Sequence, residues 1–330
     1  MTRGQKLGLG LGCGVLAITS LVAAFWLRSN ESKAVPRIGI LGMDSAMQAK
    51  RVEVFANALR ALGYVEGKNV VVEYRWAEGH FDRLPALASE LVAAKVDVIV
   101  TAAPPAVRAA QQATTTIPIV MMVHDPVGMG FAKNLARPGG NITGVAFQDA
   151  ELSTKRLSYL REAVPGLVRV AILWNKEGGG TNTIRVVEAA ASALGMQTLA
   201  LEVKEAADFA PAITAAKAWG AQGVIQLASP YITKNRGILL PILIANRMPA
   251  TCELREYVAD GCLMTYSADI NGMFRQMARF VDRVLKGAKP AELAIEQPRE
   301  FQFVVNKKTA DALGLTIPRS LEFQMTEPLL

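Results

Sequence analysis

Few side chains in this sequence are of the types that perform chemistry, and their spacing excludes the common catalytic and metal-binding motifs. There are three cysteines, Cys13, Cys252 and Cys262, and two histidines, His80 and His124, so a histidine- or cysteine-rich metal cluster is excluded by count. No cysteine, serine or acid stands at motif spacing around His124, and the GxSxG, HExxH and Walker A patterns are absent. The sequence therefore predicts no enzymatic activity, no cofactor and no metal.

The remaining polar and aromatic residues of interest follow predicted strands. In open parallel α/β sheets, ligands bind at the carboxyl ends of the strands. The candidate ligand-binding residues that this rule selects are Met43, Asp44, Ser45, Ala103, Pro104, His124, Asp125, Trp174, Asn175, Ser229, Tyr231, Glu253, Arg255 and Tyr266. Their mixture of aromatic, amide, hydroxyl and carboxylate groups suits a small polar ligand with an apolar body.

Several of these candidates have a structural alternative that the sequence leaves open. Asp44 or Ser45 is equally suited to capping a helix, and Asp125 before Pro126 is a common turn former. Trp174 is equally suited to a hydrophobic core.

Alternating strands and helices must position these residues. Short β-branched runs at 37–41, 96–100 and 117–123 read as buried strands, and amphipathic stretches between them read as helices. This alternation is typical of a doubly wound α/β lobe.

The same alternation restarts in the second half of the chain. AlaLeuGly, a strand, an Asp-capped helix and a further strand occur from residue 61 and again from residue 193. A repeat of this length predicts two similar Rossmann-like lobes with a cleft between them. We assign 36–148 and 267–290 to lobe 1, and 149–266 and 291–330 to lobe 2, so that several crossings form a hinge.

Residues 1–35 precede the first lobe and contain an uncharged, apolar stretch at 7–27. Its length fits both a long secretory signal and a membrane anchor, and the sequence does not choose between them. Arg3 and Lys6 precede it, so either alternative places the rest of the chain outside the cytoplasm. We expect a periplasmic protein, with the inner-membrane anchor as the alternative.

The two cysteines of the exported part are predicted to be free, buried thiols. Cys252 ends one predicted strand and Cys262 begins the next, which places them at opposite ends of a layer. A disulfide needs Cα atoms within roughly 7 Å of each other.

The composition excludes other classes of protein. The chain of 330 residues is 51% hydrophobic and 20% charged, so a disordered or disulfide-scaffold protein is excluded. The net charge of +7 is spread over scattered lysines and arginines with no run of four, so we expect no nucleic-acid partner.

Three segments resemble a known family. IPIVMMVHDPVGMGFAKNLARPGGNITGV at 117–145, KRLSYLREAVPGLVRVAILWN at 155–175 and the ending at 286–318 are similar to the ABC transporter substrate-binding proteins related to tryptophan and tyrosine uptake. The resemblance covers about 36–325. It implies a type I periplasmic binding protein fold with three interlobe connections.

The resemblance also implies a function, but it is a weaker guide to the identity of the ligand. The family often has a hydroxyl or amide residue after the third strand, where Thr101 is here followed by two alanines and two prolines. The expected function is the solute-binding component of an ABC importer, binding an amino acid or similar molecule by hinge closure as a monomer. Its partners are then a permease and an ATPase. The alternative is a membrane-anchored ligand-sensing module of the same fold.

Overall fold

The apolar β-branched runs form strands that are buried on both faces. In β1 (Arg37–Gly42), Ile38 and Ile40 contact one hydrophobic cluster and Leu41 contacts another. Parallel strands covered by a helical layer on each face are buried in this way. The computed structural model describes residues 35–178 and 181–327, and it contains two sheets of this kind.

Lobe 1 has a five-stranded parallel sheet in the order β2-β1-β3-β4-β5. Its further strands are β2 (Val71–Trp76), β3 (Val98–Ala102), β4 (Ile119–His124) and β5 (Ile142–Phe147), and its first helices are α1 (Ser45–Ala61), α2 (Leu84–Ala93) and α3 (Pro104–Ala113). The strand β5 was missed by the sequence analysis, because its glycine-rich approach reads as a connection.

Lobe 2 has a six-stranded sheet in the order β11-β10-β9-β8-β6-β7, in which only β11 is antiparallel among the described strands. The strands are β6 (Arg169–Trp174), β7 (Gln197–Glu202), β8 (Gly223–Gln226), β9 (Ala250–Cys252), β10 (Met264–Ala268) and β11 (Phe301–Val305). The helices are α4 (Asp149–Ala163), α5 (Thr181–Ala193), α6 (Phe209–Trp219), α7 (Pro230–Lys234), α8 (Arg236–Ala245), α9 (Arg255–Ala259), α11 (Lys307–Leu313) and α12 (Arg319–Glu322).

The chain passes between the lobes three times. It crosses first between β5 and α4, and it returns between β10 and α10 (Ile270–Leu285). The apolar face of α10, which includes Met273, Met277 and Phe280, packs on the core of lobe 1. The Asp269 side chain caps this helix by accepting a hydrogen bond from Asn271 N at 3.0 Å.

The third crossing comes later than residue 291, which is where the sequence predicted the return to lobe 2. Leu293 O accepts a hydrogen bond from Thr143 Oγ1 at 2.8 Å, and Glu296 N donates to Gly144 O at 3.0 Å. Residues up to Glu296 therefore still lie along β5 in lobe 1.

The prediction of free thiols was wrong, because Cys252 and Cys262 form a disulfide. Their Cα atoms are 6.5 Å apart. The strand β9 is only three residues long, and Met264, two residues after Cys262, pairs with Thr251. Because β9 is so short, Cys252 at its end and Cys262 just before the neighbouring strand are close enough to be bridged.

The apolar stretch at 7–27 lies outside the described residues. Within 35–178 and 181–327, no helix is both long enough and apolar enough to span a membrane.

Gly144 allows β5 to approach β4, and β5 leads directly into the cleft. Its φ is +142°, and a Cβ built there would lie 2.0 Å from Met121 O. We predict that Gly144→Ala lowers the free energy of unfolding by at least about 2 kcal/mol. Gly140→Ala is the matched control, because nothing lies within 4 Å of its Cβ position and a change within about 0.5 kcal/mol is expected. Equal urea midpoints for the two variants would contradict this account of β5.

Candidate functional site

A cavity of about 120 Å³ lies between the two lobes, at the carboxyl ends of their strands. The residues that line it come from both lobes: Met43, Gln48, Arg51, Ala102, Ala103, Pro104, Met122, Val123, His124, Phe147, Asp149, Leu152, Arg156, Ala228, Ser229, Pro230, Thr233, Glu253, Leu254, Ser267, Ala268 and Ile270. Thirteen of these 22 side chains are apolar, and nine are polar or charged. That is the usual composition of a small-molecule site.

Direct bonds hold the lobes together around the cavity. Arg51 Nη2 of α1 donates to Glu256 Oε1 of α9 at 3.0 Å, and Asn182 Nδ2 of α5 donates to Asp125 Oδ2 at 3.3 Å. Leu254 packs against core residues of both lobes. The structure therefore shows a closed cleft.

The lobe 1 wall is formed partly by the start of α3. Pro104 and Pro105 have no N–H group, so two of the donors that a helix N-terminus normally offers are missing. Thr101 Oγ1 donates to Leu41 O at 2.9 Å and is absent from the cavity lining. Ala103 has φ +75° and ψ 144°, a conformation that is costly for a residue other than glycine.

His124 ends β4 and lines the cavity with an unsatisfied ring. It is 6% exposed, and neither Nδ1 nor Nε2 has a hydrogen-bond partner among the described residues. Buried polar atoms are nearly always paired, so an orphan imidazole facing a cavity points to a ligand.

The lobe 2 wall contains a buried ion pair. Arg156, which is 1% exposed, donates from Nη2 to Asp149 Oδ1 at 2.8 Å and to Ser153 Oγ at 2.9 Å. Its Nη1 donates to Gln226 O at 3.2 Å, and Asp149 Oδ2 accepts from Thr183 Oγ1 at 3.2 Å. Each carboxylate oxygen thus has a partner within the protein.

Glu253 follows β9 and faces the cavity rather than open solvent. Its Oε2 accepts from Ser229 N at 3.1 Å, and its Oε1 makes a short contact with Thr233 Oγ1. Burial raises the pKa of this carboxyl to about 8, and the Asp149 charge adds to the rise, while the Thr233 hydrogen bond and Arg156 oppose it.

Of the predicted site residues, the structure brings Met43, Ala103, Pro104, His124, Ser229 and Glu253 together in the cavity lining. Asp44 and Ser45 are absent from the lining. They lie at the start of α1, which is where a helix-capping residue stands.

Three polar candidates lie outside the lining and have partners within the protein. Asp125 Oδ1 accepts from Gly128 N at 2.9 Å, which is the turn-forming role. The Asn175 amide donates from Nδ2 to Val203 O at 2.7 Å, linking the ends of β6 and β7. Arg255 Nε donates to Glu327 Oε1 at 2.7 Å.

The three aromatic candidates also lie outside the lining. Trp174 packs against the core of lobe 2. Tyr266 stacks with Phe301 at 5.9 Å between ring centroids and meets Tyr159 edge-on at 5.5 Å. Tyr231 lies on α7 and is absent from the cavity lining. The strand-end rule locates the edge of a sheet but not the direction of each side chain.

Several lining residues that lie inside helices were not predicted from the sequence. Gln48 and Arg51 come from α1, and Asp149 and Arg156 from α4. One signal was available, because Asp149 and Arg156 are seven residues apart and so share a face of a helix otherwise rich in buried residues. Among the described residues, no group of His, Cys, Asp and Glu is arranged to hold a metal.

The raised pKa of Glu253 predicts a pH dependence of stability. An unfolded Glu253 titrates near 4.5, so between about pH 4.5 and 8 the folded state holds a proton that the unfolded state releases. The stability linked to this proton is complete below pH 4.5 and is lost as the pH rises to 8, by about 1.4 kcal/mol per pH unit.

Glu253→Gln removes this titration while keeping the shape of the side chain. We expect its free energy of unfolding, measured in urea at pH 5, 6, 7 and 8, to fall less than that of the unmutated protein. The two proteins should be about equally stable at pH 5, and the variant should be the more stable of the two at pH 8. Parallel curves would show that Glu253 is ionised throughout.

Known proteins share this architecture. A model of the ABC transporter substrate binding protein family matches residues 40–327. The tyrosine-binding protein of Clostridioides difficile (strain R20291) is 23% identical over 292 residues, which are 87% of this chain and 84% of that protein.

Two solved structures have the same fold. A conserved domain protein from Vibrio cholerae superposes with a TM-score of 0.82 at 25% identity, covering 88% of this chain and 99% of that one. An ABC domain from Streptococcus pneumonia in complex with L-Trp gives 0.83 at 23% identity, covering 89% and 99%. The predicted fold class, two α/β lobes of a type I periplasmic binding protein, is confirmed. The chain belongs to the family of ABC transporter substrate-binding proteins, as its residues 117–145, 155–175 and 286–318 indicated.

Proposed function

We propose that this protein is the extracytoplasmic solute-binding component of an ABC importer, and that it binds a small organic solute by closure of its two lobes. The observation that carries the proposal is the cavity lined from both lobes, with the unpartnered imidazole of His124 facing it. Residues of both lobes contact a solute held there only when the cleft is shut, so binding favours the closed state.

The relatives support a solute of amino-acid size. One is named a tyrosine-binding protein, and another was crystallised in complex with L-Trp. The family role supplies the partners, a permease and an ATPase, which would receive the closed, loaded protein. We expect a monomer and no catalysis.

The partial exposure of the interlobe bonds fits reversible closure. In the Arg51–Glu256 ion pair, the Glu256 side chain is 49% exposed, so this pair contributes at most about 1 kcal/mol. Bonds of this strength favour the closed state without locking it. Solute binding can then supply the remaining free energy.

The direct test is a thermal-shift screen of purified protein that has been unfolded and refolded to remove any bound solute. The screen uses amino acids, organic acids and an extract of small metabolites. A solute at one hundred times its Kd should stabilise the folded protein by about 2.7 kcal/mol. A well-folded protein that no solute or extract stabilises would contradict the proposal.

A further inference from the structure

The polar groups of the cavity differ in how many of their hydrogen-bonding atoms are already used within the protein. Both oxygens of Asp149 are occupied, one by Arg156 Nη2 and one by Thr183 Oγ1. Both oxygens of Glu253 are also in contact, one with Ser229 N and one with Thr233 Oγ1. The acidic groups of the cavity are therefore engaged before any solute arrives.

Burial keeps Glu253 largely uncharged. It raises the pKa of this carboxyl to about 8, against the hydrogen bond that Thr233 Oγ1 donates to Glu253 Oε1. Thr233 Oγ1 also lies 2.8 Å from Ser229 O and accepts from Tyr257 Oη at 3.0 Å, so this end of the carboxyl is surrounded by protein groups. The neutral form of Glu253 is therefore favoured near pH 7.

Two donor side chains on the lobe 1 side of the cavity, in contrast, are largely unused. Arg51 gives one N–H to Glu256, and no other acceptor for its guanidinium is found in the described part of the chain. Neither ring nitrogen of His124 has a partner there. Arg51 and His124 both lie on the lobe 1 side of the cavity, on α1 and at the end of β4.

These groups together set the charge that the cavity accepts. The Arg156 charge is neutralised by Asp149 at 2.8 Å, and a neutral Glu253 carries no charge to pair with an ammonium. A solute ammonium would thus be buried without an ionised partner of its own, which is costly. A solute carboxylate would meet the guanidinium fork of Arg51 and the imidazole of His124.

The start of α3 offers fewer donors than most helix N-termini, which leaves a larger role to these side chains. Helix N-termini bind carboxylates through free N–H groups, but Pro104 and Pro105 have none. Most of the remaining lining is apolar, with residues such as Met43, Met122, Phe147 and Leu152.

We infer that the solute is a monocarboxylate with an apolar body and no ammonium group, and that Arg51 and His124 bind its carboxylate. The inference rests on the proposed function, because it names the class of solute that the same cavity takes. It distinguishes this protein from a receptor for zwitterionic amino acids.

Matched pairs of solutes test the inference. Titration calorimetry at pH 7 with ligand-stripped protein would compare 3-phenylpropanoate with L-phenylalanine, and 4-methylpentanoate with L-leucine. In each pair the second compound only adds the ammonium. We expect at least one acid to bind ten times more tightly than its amino acid, and 3-phenylpropan-1-ol, which lacks the carboxylate, to bind more weakly than 3-phenylpropanoate.

The outcomes separate this inference from the proposed function. Tighter binding of the amino acids, or equal binding of acid and alcohol, would overturn the monocarboxylate class and leave solute binding intact. Stabilisation by the metabolite extract with no binding of either acid would overturn it as well. Failure of the extract and of every probe would instead remove the proposed function itself.

Variants test the two residues. His124→Phe replaces the imidazole with an aromatic ring that has no nitrogen, so the affinity for the best acid should fall at least tenfold while the affinity for the alcohol changes less than threefold. Arg51→Gln should lower the affinity for the acid by a similar factor. Glu256→Gln is the matched control for Arg51→Gln, because it removes the interlobe ion pair but leaves the guanidinium in place. An unchanged ratio of acid to alcohol affinity in the His124 and Arg51 variants would overturn the assignment.

Discussion

The buried ion pair between Asp149 and Arg156 is the interaction on which the site depends. Asp149 is the first residue of α4, immediately after the chain leaves lobe 1, and a negative charge is favourable at that end of a helix. Arg156 lies two turns later and also bonds to Gln226 O, the last residue of β8. The pair thus attaches the first crossing to the second sheet. A buried charge that loses its partner costs about 3–5 kcal/mol, so neither residue is easily changed alone.

This pair also bears on the selectivity that we propose for the cavity. Asp149 neutralises Arg156 within the lobe 2 wall, which leaves Arg51 and His124 of lobe 1 as the donors that the proposed carboxylate would meet. In the proposed complex the carboxylate leaves water and is held by few, directional donors among lining residues that are mostly apolar. Closure completes the site, since Arg51 also reaches across to Glu256.

Some parts of this account were predictable from the sequence, for physical reasons. The runs around Ile38, Val98 and Val120 are apolar on both faces, and such runs form interior parallel strands whatever the loops do. The strand-end rule then found His124 and Glu253, because it follows from the direction of parallel strands. Arg51 and Arg156 were missed, since a charged residue within a helix normally faces solvent and only tertiary packing shows otherwise. The disulfide was missed because the length of β9, three residues, is not encoded in any local pattern.

The measurement that tests the central claim most directly is small-angle X-ray scattering of ligand-stripped protein, with and without the solute that gives the largest thermal shift. The account predicts that the stripped protein samples an open cleft and that its radius of gyration decreases when the solute is added, towards the value calculated from the closed structure. An unchanged radius of gyration under saturating solute, with the solute shown to be bound, would contradict binding by closure of the lobes.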